Sequence, residues 1–286
     1  MKLPFNIRLP ELLRLTRPKQ WVKNGFVLAP LVFAREFRDI GAIGNALIAF
    51  TLFCVASSAT YVLNDLRDID RDRAHPVKSW SRPLAAGTVK PRSAVALLVC
   101  LCVVLMAGWL WSPRTMLVIV GYLALNFAYS FWLKQQPVLD IFSVAIGFVL
   151  RAYAGAVAIH VPLSNWMAIT TLCLALYLAA IKRRQELANA GVQSREVLRT
   201  YSAALVDRYA EIAAVGALIF YSLFVMSTNN DRMAATIPLV IFGLFRYWYV
   251  VESLDGGESP TDVAVTDKPL ILTVFFWIAL CLVALW

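Results

Sequence analysis

Apolar residues fall along this chain in blocks of roughly twenty, separated by short polar stretches, and strand-like alternation is absent. The blocks "GNALIAFTLFCVASSATYVL" (Gly44–Leu63) and "SAVALLVCLCVVLMAGWLW" (Ser93–Trp111) are the clearest. A helix needs about 20 apolar residues to cross a hydrocarbon core, so each block is a candidate crossing. Nine spans are predicted, near 22–39, 43–63, 93–112, 115–133, 139–160, 164–181, 208–228, 234–251 and 269–286. The first opens on Lys23 and Asn24, and the eighth contains Arg246. The expected fold class is an all-α integral membrane protein: one domain over residues 1–286 with nine transmembrane helices.

Composition agrees with the pattern. Of 286 residues, 60% are hydrophobic, and the mean hydropathy is +0.67. The net charge of +9 would suggest nucleic acid in a soluble protein. Here it fits basic loops on the cytoplasmic side of a membrane, so no nucleic-acid partner is expected, while anionic lipids and polyanionic substrates are. With the N-terminus inside, only Arg35, Arg38, Arg114 and Arg232 of the 27 Lys and Arg lie in outer loops, and Arg151 lies within a span. The predicted topology is N-terminus in, C-terminus out, in a bacterial plasma membrane. The acids share that bias, since only Glu36, Asp39 and Asp231 lie outside. Both signs of charge therefore gather on one face, in three long inner loops near 64–92, 182–207 and 252–268. The five cysteines lie in apolar runs and read as buried reduced thiols, neither disulfides nor a zinc site. No cleavable signal peptide is expected, because Met1–Lys23 is basic and interrupted by proline.

The densest charge is "YVLNDLRDIDRDRAHPVKSWSRPLAAG" (Tyr61–Gly87). If the second helix runs on past Leu63, Asp65, Asp68 and Asp72 fall within an arc of about 60°, with Asn64 beside them and Asp70 turned away. Three carboxylates so close repel unless a cation lies between them. Oxygen-only ligands select a hard ion such as Mg2+, with Mn2+ as a substitute, and Mg2+ shares its shell with water and substrate phosphates. The expected catalytic and metal-binding residues are Asp65, Asp68 and Asp72, with Asn64 as a further ligand. Lys78 and Arg82 are candidates for phosphate oxygens, and Pro83 and Gly87 for a fixed turn. A solvated helix end, neutralised by Arg67, Arg71 and Arg73, is the plainer alternative.

"NDLRDIDRD" (Asn64–Asp72) matches the NDxxDxxxD pattern of the UbiA superfamily of intramembrane prenyltransferases, and "RPLAAG" is also typical of it. The resemblance implies a UbiA-type helical bundle with a cytoplasmic-facing active-site cavity. "TRPKQWVKN" (Thr16–Asn24), "HPVKSWSRPLAAG" (His75–Gly87), "KRRQEL" (Lys182–Leu187) and "GGESPTDVAVTDKPL" (Gly256–Leu270) resemble a narrower family, the decaprenyl-phosphate phosphoribosyltransferases. That resemblance implies Mg2+-dependent transfer from 5-phosphoribosyl 1-diphosphate to a polyprenyl phosphate such as decaprenyl phosphate. The product would be a precursor of cell-wall arabinan. Where UbiA members usually carry a second DxxxD pair, this chain has Lys182, Arg183, Arg184 and Glu186. Such a site suits a phosphate-rich sugar.

Further candidates follow. Lys19 and Lys23 are phosphate ligands by the same resemblance, or interface anchors. Lys182 and Glu186 share a helix face, as an ion pair or with Lys182 and Arg183 on phosphate and Glu186 on a sugar hydroxyl or metal-bound water. Tyr177 precedes them, as a substrate contact or a membrane-edge anchor. Arg151, mid-span, faces the bundle interior or a wet cavity, where it binds the acceptor phosphate or pairs with a buried carbonyl or carboxylate. Asp262 and Asp267 approach the same cavity or are solvated. His75 and His160 are the only histidines, and their positions argue against a histidine mechanism. The competing functions are prenyl transfer from a prenyl diphosphate to an aromatic acceptor, and membrane transport. Either a monomer or a homo-oligomer is compatible with the sequence.

Overall fold

The computed structural model describes residues 11–74, 77–188, 196–253 and 266–286, which are helical with no strand. In chain order the α-helices are α1 Glu11–Leu15, α2 Ala29–Phe33, α3 Ile40–Arg67, α4 Ile69–Arg73, α5 Lys78–Ser81, α6 Pro91–Trp111, α7 Pro113–Phe131, α8 Leu139–Ala158, α9 Asn165–Ala188, α10 Ala203–Ser227, α11 Ile237–Ser253 and α12 Lys268–Leu285. Among the described residues eight helical segments are long and apolar enough to cross a membrane: α3, α6 to α10, α12, and Asp231–Glu252, which includes most of α11.

Helix starts follow local chemistry. Asp39 accepts a hydrogen bond from the Gly41 amide ahead of α3, Ser112 from Thr115 ahead of α7, Ser202 from Leu205 ahead of α10, and Asp267 from Leu270 ahead of α12. Each satisfies an amide that the first helical turn leaves unpaired. Pro91 and Pro113 take first-turn positions, where the missing N–H costs nothing.

The predicted first span differs from the rest. Pro18–Leu28 is a 3-10 helix of 11 residues that runs into the five-residue α2. At three residues per turn, Trp21, Asn24 and Val27 line up on one face. Trp21 Nε1 donates to Ser58 Oγ (3.1 Å), and the Asn24 amide donates to Ser57 Oγ (3.2 Å) and Cys54 Sγ (3.3 Å) on α3. Val27 lies flush on α8, where a Cβ added to Gly155 would come within 1.9 Å of the Val27 carbonyl oxygen. These tertiary contacts select the tighter helix. Its greater rise carries Pro18–Phe33 about 30 Å, a bilayer core's thickness, in place of the ordinary α-helical crossing expected.

α3 and α8 are the most enclosed spans, and α6 the least, along with the Asp231–Glu252 segment. Phe53 and Ala56 of α3 pack with Ile119 and Tyr122 of α7 and Ala154 of α8. A second core joins α9, α10 and α11 through Tyr177, Val206, Ala210, Leu244 and Tyr247. The outer face of α6 exposes Val95, Val99, Val103, Met106 and Leu110 at helical spacing, a stripe suited to lipid. All five cysteines are free, as expected, but only Cys54 and Cys281 are buried; Cys100 and Cys102 are exposed on α6.

Candidate active site

Two polar clusters meet at the end of the bundle where α3, α7 and α9 finish. The first is built on the aspartate segment. α3 continues to Arg67 and then breaks, with Asp68 at φ −97°, ψ 14° and α4 starting at Ile69. Helical hydrogen bonds still cross this point, from the Asp68 amide to the Asn64 carbonyl (3.0 Å) and from the Asp72 amide to the Asp68 carbonyl (2.8 Å), and the Asp68 carboxylate pairs with the neighbouring Arg67 at 3.3 Å. Asp65 and Asp72 are both buried. One nitrogen joins them: Arg82 Nη1 donates to Asp65 Oδ1 at 2.8 Å and to Asp72 Oδ2 at 2.6 Å. Lys78 Nζ stands 3.8 Å from Asp72. The turn that delivers Arg82 closes as expected, with Gly87 at φ 74° and the Val89 amide bonded to the Pro83 carbonyl.

Arg17 also reaches Asp65 Oδ1, from Nη2 at 2.5 Å, with its guanidinium over the Tyr61 ring. It lies inside "TRPKQWVKN", yet the sequence points more readily to the lysines there. Its φ of 52° and the proline after it mark a sharp entry into the 3-10 helix. Lys19 is exposed and Lys23 half-buried on that helix.

Asn64 Oδ1 accepts from Ser130 Oγ at 3.3 Å, and the preceding residue, Tyr129, accepts from Arg183 Nη2 at 3.1 Å. The end of α7 thus joins the first cluster to the second. Arg183 Nε donates to Asp140 Oδ2 at 2.5 Å and Nη1 to Glu186 Oε2 at 2.7 Å. Lys182 Nζ is 3.9 Å from Glu186. The Tyr201 hydroxyl donates to Asp140 Oδ1 at 2.7 Å and accepts the Val138 amide at 2.6 Å. Burial raises the Tyr201 phenol above its ordinary pKa, so it remains a neutral donor. Val138 is the centre of a γ-turn, with the Leu139 amide bonded to the Pro137 carbonyl at 2.8 Å. Its φ of 69° and ψ of −47° cost a β-branched residue on the order of 1–3 kcal/mol. Asp140 and Tyr201 were not expected from the sequence; the available signal was a lone acid opening an apolar span.

Three other candidates lie apart from these clusters. Tyr177 is wholly buried in the α9–α11 core, its hydroxyl donating to the Leu244 carbonyl at 2.8 Å. Packing between Tyr247 and Trp248 turns it from the site. Arg151 is buried in mid-span. It donates to Asn24 Oδ1 (2.8 Å), the Gly147 carbonyl (2.8 Å) and the Tyr122 hydroxyl (2.9 Å), with Phe53, Tyr122 and Phe148 rings around it. The carbonyl alternative for Arg151 matches these contacts, which staple α8 to the 3-10 helix. Asp267 caps α12 and pairs with Arg246 at 2.8 Å. That bond holds its carboxyl below the usual carboxylate range. Asp262 and His75 lie outside the described residues.

The donor set suits a hard divalent cation. Asp65 and Asp72 present buried oxygens to one point, which the Arg82 guanidinium nitrogen fills. The Asn64 amide oxygen is one residue from Asp65. Among the described residues no three acidic, histidine or cysteine side chains converge. Two carboxylates suffice for Mg2+, which keeps waters and shares substrate phosphates. The second cluster pairs its acids with Arg183 and Lys182 and so suits phosphate and hydroxyl groups.

A sequence profile described as the UbiA prenyltransferase family matches residues 26–262. The decaprenyl-phosphate phosphoribosyltransferase of Mycolicibacterium smegmatis is 34% identical, over 93% of this chain and 90% of that protein. The protein of the same name from Mycobacterium tuberculosis is 35% identical, over 92% of this chain and 90% of its own length. Among solved structures, a UbiA homolog from Archaeoglobus fulgidus bound to GPP and Mg2+ has a TM-score of 0.71. It is 19% identical and covers 96% of this chain and 99% of its own.

Proposed function

The chain belongs to the UbiA prenyltransferase family, and from that premise we propose that it is a polyprenyl-phosphate phosphoribosyltransferase. It moves 5-phosphoribose from 5-phosphoribosyl 1-diphosphate to a polyprenyl phosphate such as decaprenyl phosphate. The product is polyprenyl-phosphoryl ribose 5-phosphate, which feeds cell-wall arabinan synthesis. The observation that carries this reading is the similarity, over 92–93% of this chain and 90% of theirs, to enzymes of that name. The second cluster supports it, because its centre is Arg183 rather than another carboxylate pair.

Asp65 and Asp72, with Asn64, would hold Mg2+, which when bound would supply positive charge to the leaving diphosphate. Arg17, Arg82 and Lys78 take the diphosphate oxygens that remain, and Arg82 exchanges a carboxylate for a phosphate partner in doing so. Lys182 and Arg183 bind the 5-phosphate, and Glu186 accepts from a ribose hydroxyl. Lys19 and Lys23 attract the acceptor phosphate to the membrane edge. An acceptor phosphate oxygen attacks C1 as the C1–O bond to the diphosphate breaks. The nucleophile is already anionic, so the step needs alignment and no general base. The polyprenyl tail stays among the helices and lipid. The concentration of Lys and Arg at this end supports a cytoplasmic site in a bacterial plasma membrane.

Purified protein in lipid nanodiscs, given labelled 5-phosphoribosyl 1-diphosphate, decaprenyl phosphate and Mg2+, should form a labelled lipid and release diphosphate. A chelator should stop both. Formation of a prenylated aromatic from prenyl diphosphate, with no labelled phosphoribosyl lipid, would overturn the proposal.

A further inference from the structure

Arg183 is fixed by partners that are themselves fixed. Its three guanidinium nitrogens each donate to a different residue: Asp140, Glu186 and Tyr129. A guanidinium is planar, so holding Nε on one side and both Nη atoms on the others sets its plane and the place of Glu186. Asp140 is wholly buried, and its second oxygen is held by Tyr201. Tyr201 in turn clasps the Val138 amide of the strained γ-turn. A continuous chain of hydrogen bonds thus runs from the α7–α8 connection to Glu186.

Stability does not account for this arrangement. A buried ion pair is often no more stabilising than apolar side chains of the same volume. A left-handed valine adds strain, and such strain persists where the surroundings over-determine the geometry. Both features converge on the end of α9 that carries Lys182, Arg183 and Glu186. We propose that Asp140 and Tyr201 are positioning residues, which set Arg183 and through it Glu186 to receive the phosphoribosyl donor. This rests on the function proposed above.

The test is steady-state kinetics and direct binding of 5-phosphoribosyl 1-diphosphate to full-length wild type, Tyr201→Phe and Asp140→Asn in nanodiscs. Tyr201→Phe removes one oxygen and keeps the ring that packs on Tyr209. Losing its two hydrogen bonds should raise the donor KM and Kd about tenfold, with kcat and the polyprenyl phosphate KM within about twofold. Asp140→Asn should shift the donor constants in the same direction and further. If Asp140→Asn fails to fold, Tyr201→Phe decides the matter. A purely structural role predicts a smaller active fraction at unchanged donor KM, and that result overturns the inference. An active wild type with unchanged donor constants in Tyr201→Phe overturns this inference alone. A wild type that makes no phosphoribosyl lipid overturns the functional reading and this inference together.

Discussion

Asp65 Oδ1 takes hydrogen bonds from two guanidinium groups at once, Arg17 and Arg82. Charge-assisted bonds of this kind are roughly twice as strong as neutral ones, and they hold the carboxylate in one orientation. Asp65→Asn keeps the shape and one acceptor oxygen but removes the charge on which the proposed metal and diphosphate binding rests. Turnover should fall by at least about 100-fold, while thermal unfolding shifts by no more than about 1–3 kcal/mol. A folded variant that keeps more than about a tenth of the wild-type rate contradicts this role. The sequence makes Asp65 and Asp72 legible because spacing along a helix is local information. It places Asp68 with them too, but the Asp68 carboxylate pairs with Arg67, a side-chain choice that spacing does not encode, and among the described residues no three acidic side chains converge. Arg17, Asp140 and Tyr201 were illegible for another reason. Their partners lie 48, 43 and 61 residues away, and no local periodicity encodes such pairs.

At the scale of elements, the apolar blocks were enough to place most of the spans. The 3-10 helix was not, because its form is imposed by neighbours: Ser57 and Ser58 on α3, Arg151 and Gly155 on α8. Gly155 makes the closest demand, since an added methyl would overlap the Val27 carbonyl. Gly155→Ala should destabilise by about 1–3 kcal/mol or more, because backbone cannot swing aside as a side chain can. Gly121→Ala is the control, with nothing within 4 Å of its added Cβ. It should be neutral or slightly stabilising, as alanine favours a helix interior. Thermal unfolding in detergent checks the pair, and equal behaviour of the two variants would contradict the close packing.

At the scale of the whole molecule, α3 and α8 lie at the centre and α6 at the periphery. The polar clusters gather at one end of this bundle, beside most of the basic residues. Under the proposed function that placement separates two tasks, the apolar body for a lipid chain and the polar end for phosphate.

The peripheral place of α6 has one more consequence. Cys100 and Cys102 lie halfway along it and are exposed, whereas Cys54 and Cys281 are buried. A thiol-reactive nitroxide should therefore attach to those two natural handles first, without touching the catalytic end. Its electron spin resonance should broaden strongly with dissolved oxygen, which concentrates among acyl tails, and barely with a water-soluble nickel chelate. The opposite ranking would place that helix against water and would call for a different seating of the protein in its bilayer.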